Sequence, residues 1–293
     1  MSNFHINGID IYIMLDFFLD KSLPPYIINE ETIPKKSIIF VTPSWYNSPK
    51  TIRIANSNPT YNIVIMANSE EEKKLLQKNV QCDVIFCNQN AFLNENNFNI
   101  DYNNEIKYDL VVDSCFTLYK NVNICNKISN TIHIGYIKPT RPLLIPTFGT
   151  LANYDTFNRY KKLNKKLICN IYNQSYVAGI FSLEEGACFA STQYLLAGLP
   201  VISTKSIGGR DIWYNSNNSI ICENNENDCY KCFQIAKEKL INGEFNRINI
   251  RNNTVELMNK HRNIFIECLI NKLKQLFDLE VNPNELNINL SIY

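Results

Sequence analysis

The sequence predicts an α/β protein made of two facing parallel-sheet units and a terminal helix. Three observations carry that prediction. Short apolar, β-branched runs recur along the 293 residues, and they are continuously apolar, as strands covered on both faces are. Amphipathic stretches separate them, which is the pattern of βα units and mostly parallel sheets. The alternation occurs twice, on either side of the proline-rich stretch KPTRPLLIPTFGT at 138–150.

Taken in order, the first 30 residues add an edge strand or a helix. SIIFVT at 37–42 is a strand that opens onto the turn-rich loop PSWYNSP. NIVIMA at 62–67 is the next strand, and in the following NSEEEKKLLQKN Ser69 caps a helix while Glu72 completes a capping box. DVIFC at 83–87, YDLVV at 108–112 and TIHIGYI at 131–137 are strands, with TLYKNVNICNKIS a short helix between the last two. Residues 1–137 thus read as one α/β domain. Three prolines and a glycine make 138–150 the linker. A second domain, 138–255, follows. In it DTFNRYKKLNKKLICNIYNQ is helix, YVAGIFSL strand, and CFASTQYLLAG a helix closed by Gly198. LPVIST and NSIICE are strands, and NDCYKCFQIAKEKLING is a helix. A long amphipathic pattern runs from 252 to 278, so 256–293 is a C-terminal helical segment free to pack back on the first domain.

Composition limits the function classes. A net charge of +1 provides no global basic field, which argues against nucleic acid as the main partner. Ten cysteines without a secretory leader read as reduced thiols in a cytoplasmic protein. No apolar run approaches the roughly 18 residues of a spanning helix, so no transmembrane segment is expected, and peripheral membrane contact stays open. Cys229-x-x-Cys232 has no partner pair at zinc spacing, and Cys82 and Cys87 do not supply one, so no metal site is expected. Among the three histidines, His133 lies in a strand, either packed or facing the cleft. His5 carries no signal, and His261, beside Arg262, is placed on the polar face of the last helix.

Open parallel sheets bind ligands at the carboxyl ends of their strands. The segment SLEEGACFASTQYLLAGLPVISTKSIGGRD, 182–211, spans two such ends. In Glu184-Glu185-Gly186 a carboxylate can accept bonds from sugar hydroxyls, the glycine admits a ligand to the backbone, and the helix start offers free N–H groups. The same acidic pair can also simply cap that helix. Gly208-Gly209-Arg210-Asp211 suits close approach to phosphate, with Arg210 as the fork, or is an ordinary loop with a surface Arg–Asp pair.

Together, at this spacing, these residues resemble the C-terminal signature of the retaining, family 4-like glycosyltransferases of the GT-B fold. Ser182, Glu185, Gly186, Gly198, Pro200, Val201, Gly208 and Gly209 fall in place, and the match runs about as far as NSIICE. Over the N-terminal half only the architecture matches. The resemblance implies two Rossmann-like domains facing a central cleft, the first on the acceptor side and the second on the donor side. It gives Glu185 the donor-sugar hydroxyls, with the backbone of Gly186, Ala187 and Cys188 beside that sugar. The family's second glutamate, which binds the nucleotide ribose, falls on Gln193, a neutral group that still bonds a diol. The acid after the glycine pair is shifted to Asp211. The family's Arg and Lys diphosphate clamp, near the start of its C-terminal domain, is not aligned. Arg159, Lys161, Lys162, Lys165 and Lys166 are available, mostly as a solvated helix face, and Arg210 is the preferred phosphate contact. The loop TPSWYNSP brings Trp45 or Tyr46 to the acceptor side or into loop packing.

The expected function is transfer of a sugar from a nucleotide-sugar donor to an unidentified glycan, lipid-linked or protein acceptor. The resemblance implies retention of configuration, no metal and no cofactor beyond the donor itself. Alternatives are a non-catalytic GT-B protein that binds a sugar nucleotide or glycan, and a nucleotide-sugar epimerase.

Overall fold

The computed structural model describes residues 2–16, 27–136, 144–153, 162–283, 286 and 288–293. Its first unit is a five-stranded sheet in sequential order: β1 (Ser2–Ile6), β2 (Ile9–Leu15), β3 (Ser37–Thr42), β4 (Asn62–Ala67) and β5 (Asp83–Phe86). β1 is the antiparallel edge, joined to β2 through Asn7 and Gly8, both at positive φ as a two-residue hairpin turn requires. The other pairs are parallel. β2, β3 and β4 are buried on both faces, which explains their unbroken apolar runs. Ile39 and Val41 face α1 (Pro49–Ser57) and α2 (Glu70–Gln77), packing with Ile54 and Leu76. Ile38 and Phe40 face the opposite side.

The start of α2 differs from the expected capping box. Ser69 Oγ does accept the Glu72 N–H, at 3.1 Å. The Glu72 carboxylate, however, accepts from the backbone of Asn68 at 2.7 Å and of Asn47 at 2.8 Å. It therefore ties the loop after β3 to the loop after β4, and burial raises its pKa to about 7.

The second sheet corrects the expected boundary. Its order is β13-β11-β9-β6-β7-β8, all parallel, where β6 is Tyr108–Cys115, β7 Thr131–Tyr136, β8 Thr150–Leu151, β9 Ser175–Ile180, β11 Val201–Thr204 and β13 Ser219–Cys222. The strands at 108 and 131, assigned by sequence to the first domain, thus pair inside the second. The units part between β5 and β6, in an asparagine-rich stretch without proline. The proline-rich stretch lies between two strands of one sheet, and its residues 138–143 fall outside the described residues. Between β6 and β7 the expected helix is two 3-10 turns, Leu118–Lys120 and Val122–Cys125, broken by Asn121 in the left-handed region (φ 52°). Arg159 and Lys161 lie outside the described residues, and α3 occupies Lys165–Asn173.

Two-residue strands β10 (Glu184–Glu185) and β12 (Ile207–Gly208) pair in parallel above the sheet. Two helices, α4 (Phe189–Leu196) and α5 (Glu226–Ile241), cover the second sheet, and Gly198 closes α4 at φ +74°. The 31-residue α6 (Arg247–Phe277), about 46 Å long at the standard rise, spans both units. Its Arg251 reaches the carbonyls of Leu196 in the second unit and Phe98 before it. Farther along, Phe265 packs on Phe40 with ring centroids 4.6 Å apart. His261 is not on a polar face: it is buried between Phe86 and Trp213, and burial lowers its pKa to about 4. Among the described residues no helix is long and apolar enough to cross a membrane.

Candidate functional site

The carboxyl ends of both sheets open onto one cavity of about 790 Å³. The first unit contributes Ser44, Trp45, Lys50 and Gln89; the second contributes the ends of β6, β10 and α4. Several segments are shaped to close this wall. Asp16, buried at the end of β2, accepts from Ser48 Oγ (2.5 Å), Thr51 Oγ1 (3.0 Å) and the Ser44 N–H (3.2 Å). That carboxylate fixes the loop carrying Trp45. The Trp45 indole N–H donates to Glu184, and its ring meets Tyr119 edge-on at 5.4 Å. Tyr46 does not line the cavity; it lies against the loop at Gly208.

Glu185 sits at the centre of the second wall. Its carboxylate accepts from Ser182 Oγ at 2.5 Å and from the Lys120 ammonium. Only 12% of the lysine side chain and 6% of the glutamate side chain are exposed. Burial pulls the Lys120 ammonium down, yet the Glu185 carboxylate outweighs it and holds its pKa above the usual lysine range. The lysine cation is therefore maintained in the cavity. Gly186, Cys188 and Gln193 line the same wall. A side chain at Gly186 would be tight: a Cβ would stand 3.1 Å from the Ser44 carbonyl oxygen across the cleft. Burial pushes the Cys188 thiol up to about 11, so it stays protonated. Ala187 is buried beneath this wall and leaves only its backbone at the turn.

The glycine pair and Arg210 do something other than cradle a phosphate. Gly208 is at φ +109°, and a Cβ there would meet the Glu185 carbonyl at 1.8 Å. A Cβ on Gly209 would meet Asn68 Cβ of the first unit at 2.2 Å. Both glycines are thus needed for strand and inter-unit packing. Arg210 is completely buried. Its guanidinium donates to the Ser182 carbonyl (2.8 Å), the Thr204 carbonyl and Asp211 Oδ1 (2.8 Å). It braces the chain just beyond β9 and the end of β11, with its donors spent on two backbone carbonyls and Asp211. This corrects its assignment as the phosphate contact. Asp211 closes the same loop by accepting the Ser206 N–H at 2.8 Å. None of these four residues lines the cavity.

Sequence reasoning missed Lys120, because it placed β6 in the wrong unit. Once β6 is the first strand of the second unit, Lys120 is the basic residue at the end of that strand. It also missed Asp113, which is bonded by the Tyr172 hydroxyl at 2.6 Å and is raised to a pKa of about 6 by burial, against the lowering by that bond and Lys120. Asp113 and Tyr136 also line an adjoining cavity of about 550 Å³ with Asn153, Lys162 and Leu163. Lys165 and Lys166 are exposed on α3 and line neither cavity. Two cavity residues hold buried polar atoms without a hydrogen-bond partner among the described residues, Ser114 Oγ and Gln89 Oε1.

The remaining candidates are packing residues. His133 is fully buried against Phe148, and burial lowers its pKa to about 4. Cys229 and Cys232 are buried in α5 as free thiols. Among the described residues no cluster of His, Cys, Asp or Glu is arranged to hold a metal ion.

No known protein family and no curated sequence matches the chain. Solved structures do. TarM of S. aureus superposes with a TM-score of 0.61 at 12% identity, over 88% of this chain and 54% of TarM. The pneumococcal O-GlcNAc transferase GtfA, in complex with UDP and GlcNAc, gives 0.55 at 10% identity, over 83% of this chain and 54% of GtfA. Anabaena HepE, in complex with UDP and glucose, gives 0.57 at 12% identity, over 80% of this chain and 71% of HepE. The fold is therefore GT-B. The chain spans about half the length of TarM and GtfA.

Proposed function

We propose that the protein is a glycosyltransferase that moves a sugar from a uridine diphosphate sugar to an acceptor hydroxyl. The observation that carries this reading is the buried Lys120–Glu185–Ser182 constellation at the mouth of α4, facing Gln193 inside a cleft between two GT-B units. Glycosyl transfer needs its leaving group stabilised as negative charge develops. Lys120 supplies a permanent cation for the diphosphate, at the place near the start of the second unit where the resembling family has its clamp lysine. The start of α4 adds N–H groups. Glu185 takes donor-sugar hydroxyls, Gln193 the ribose diol, and the adjoining cavity at Asp113 the base. The choice of uridine rests on the UDP present in the GtfA and HepE complexes.

The acceptor enters from the first unit, past Trp45 and Gln89. As the sugar C1–O bond breaks, its electron pair goes to the departing phosphate oxygen; the acceptor oxygen bonds C1 and its proton passes to that phosphate. Retention, with attack from the leaving-group face and no protein nucleophile, follows the family resemblance, as does independence from metal. Gln193 in place of a ribose-binding glutamate favours a second reading, a GT-B protein that binds the donor without transferring it.

A thermal-shift panel of UDP-, GDP-, ADP- and CMP-sugars tests the donor site, since a ligand of the native state raises stability by RT ln(1 + [L]/Kd). A UDP-sugar shift lost in Glu185→Ala is expected. No shift with any donor would refute the reading. Release of UDP with labelled sugar passing to an acceptor separates transfer from binding alone.

A further inference from the structure

The turn that leads into α4 is held by a residue of the other unit. Asn90, fully buried in the loop after β5, donates from one amide nitrogen to the carbonyls of Ala187 (2.8 Å) and Cys188 (3.1 Å) and to Thr192 Oγ1 (2.8 Å). Asn88 holds Asn90 in turn, accepting its N–H at 2.9 Å, and separately donates to the Gly209 carbonyl at 2.9 Å. Cys188 is at φ +58°, a left-handed conformation unusual for a residue with a side chain. In a planar trans peptide the C=O and N–H point in opposite directions. Pulling two successive carbonyls toward Asn90 therefore turns the N–H groups of Cys188 and Phe189 the other way. Those two residues line the cavity, and neither N–H has a hydrogen-bond partner among the described residues. Consecutive N–H groups around a left-handed residue make an anion-binding concavity.

We propose that Asn90, on the acceptor-side unit, is a positioning residue for the donor: it sets the Ala187–Cys188–Phe189 turn so that its N–H groups meet the donor's phosphate. The inference rests on the donor reading above. It makes donor affinity depend on the docking of the two units, since the hand that shapes the phosphate turn belongs to the first unit. Glu185 and Lys120 would still contact the ligand directly, while Asn90 acts only through the backbone it holds.

The test compares UDP with uridine, by calorimetric titration of the full chain. Asn90→Asp keeps the shape and removes both donors. It should weaken UDP about tenfold and uridine less than twofold, because the loss is confined to phosphate. Asn90→Ser retains one donor and should fall between. Phe265→Leu is the control: it loosens the packing of α6 on Phe40, away from Asn90 and the cavity, so it should lower the melting temperature while keeping the UDP-to-uridine ratio. If Asn90→Asp does not fold, the Asn90→Ser ratio decides. A ratio unchanged in the Asn90 variants would overturn this inference alone. UDP that failed to bind the native chain would overturn the donor reading and this inference with it.

Discussion

Replacing Lys120 by methionine should destabilise the protein even though the new side chain is apolar, of similar length and placed in a mostly buried position. The reason is Glu185. Its carboxylate is 6% exposed and loses its counter-charge, keeping only the bond from Ser182 Oγ. Removing one partner of a buried pair costs about 3–5 kcal/mol, because the remaining charge stays desolvated. At about 2 °C per kcal/mol for a chain of this size, the melting temperature should fall by about 6–10 °C. The double variant Lys120→Met, Glu185→Gln removes both charges and should recover at least half of the loss. Thermal melts of the three proteins measure both effects. A single variant as stable as the native chain, or a double variant less stable than the single, would show that the pair is solvated and refute the argument.

Other consequences are separable. Arg210→Ala should cost about 3 kcal/mol in chemical denaturation yet leave UDP affinity within twofold, since its donors go to buried backbone carbonyls and Asp211; a selective loss of phosphate binding would restore its ligand role. Gly209→Ala must displace Asn68, whose Cβ is 2.2 Å from the new atom, and should lower the melting temperature by several degrees; an unchanged melt would mean the units are not docked as described. Acid should unfold the protein through His133 and His261, both lowered to about 4 by burial. Their neutral forms contribute stability that is complete above the unfolded value of about 6.5 and is lost as pH falls toward 4, about 3 kcal/mol each. His133→Leu should therefore flatten the fall in stability between pH 7 and 5, and a variant with the native slope would rule His133 out.

The helix and strand pattern was legible because each buried strand carries its own apolar run, as in SIIFVT and NIVIMA, and α4 ends at a glycine with positive φ. Which sheet a strand joins is not written in the strand. YDLVV and TIHIGYI look the same in either unit; YDLVV is placed by pairing with β9, whose partners lie 67 residues later, and TIHIGYI by pairing with YDLVV. The proline-rich stretch attracted the boundary because proline is the stronger local signal, although the strands on either side of it, β7 and β8, pair within one sheet. That single misplacement hid Lys120. Spacing alone brings Glu185, Gly186, Cys188 and Gln193 to one wall, because they lie on one contiguous turn and helix. Arg210 illustrates the limit of spacing. It adjoins the site in sequence, but its side chain turns inward because the Ser182 and Thr204 carbonyls at two neighbouring strand ends need donors. Asn90 is the converse case: nothing in its neighbourhood, CNQNAF, marks it, because its three acceptors lie about a hundred residues away in the other unit. A cleft between two units is built partly from bonds of that kind, so a site read from one segment will include residues that brace it and omit residues that aim it.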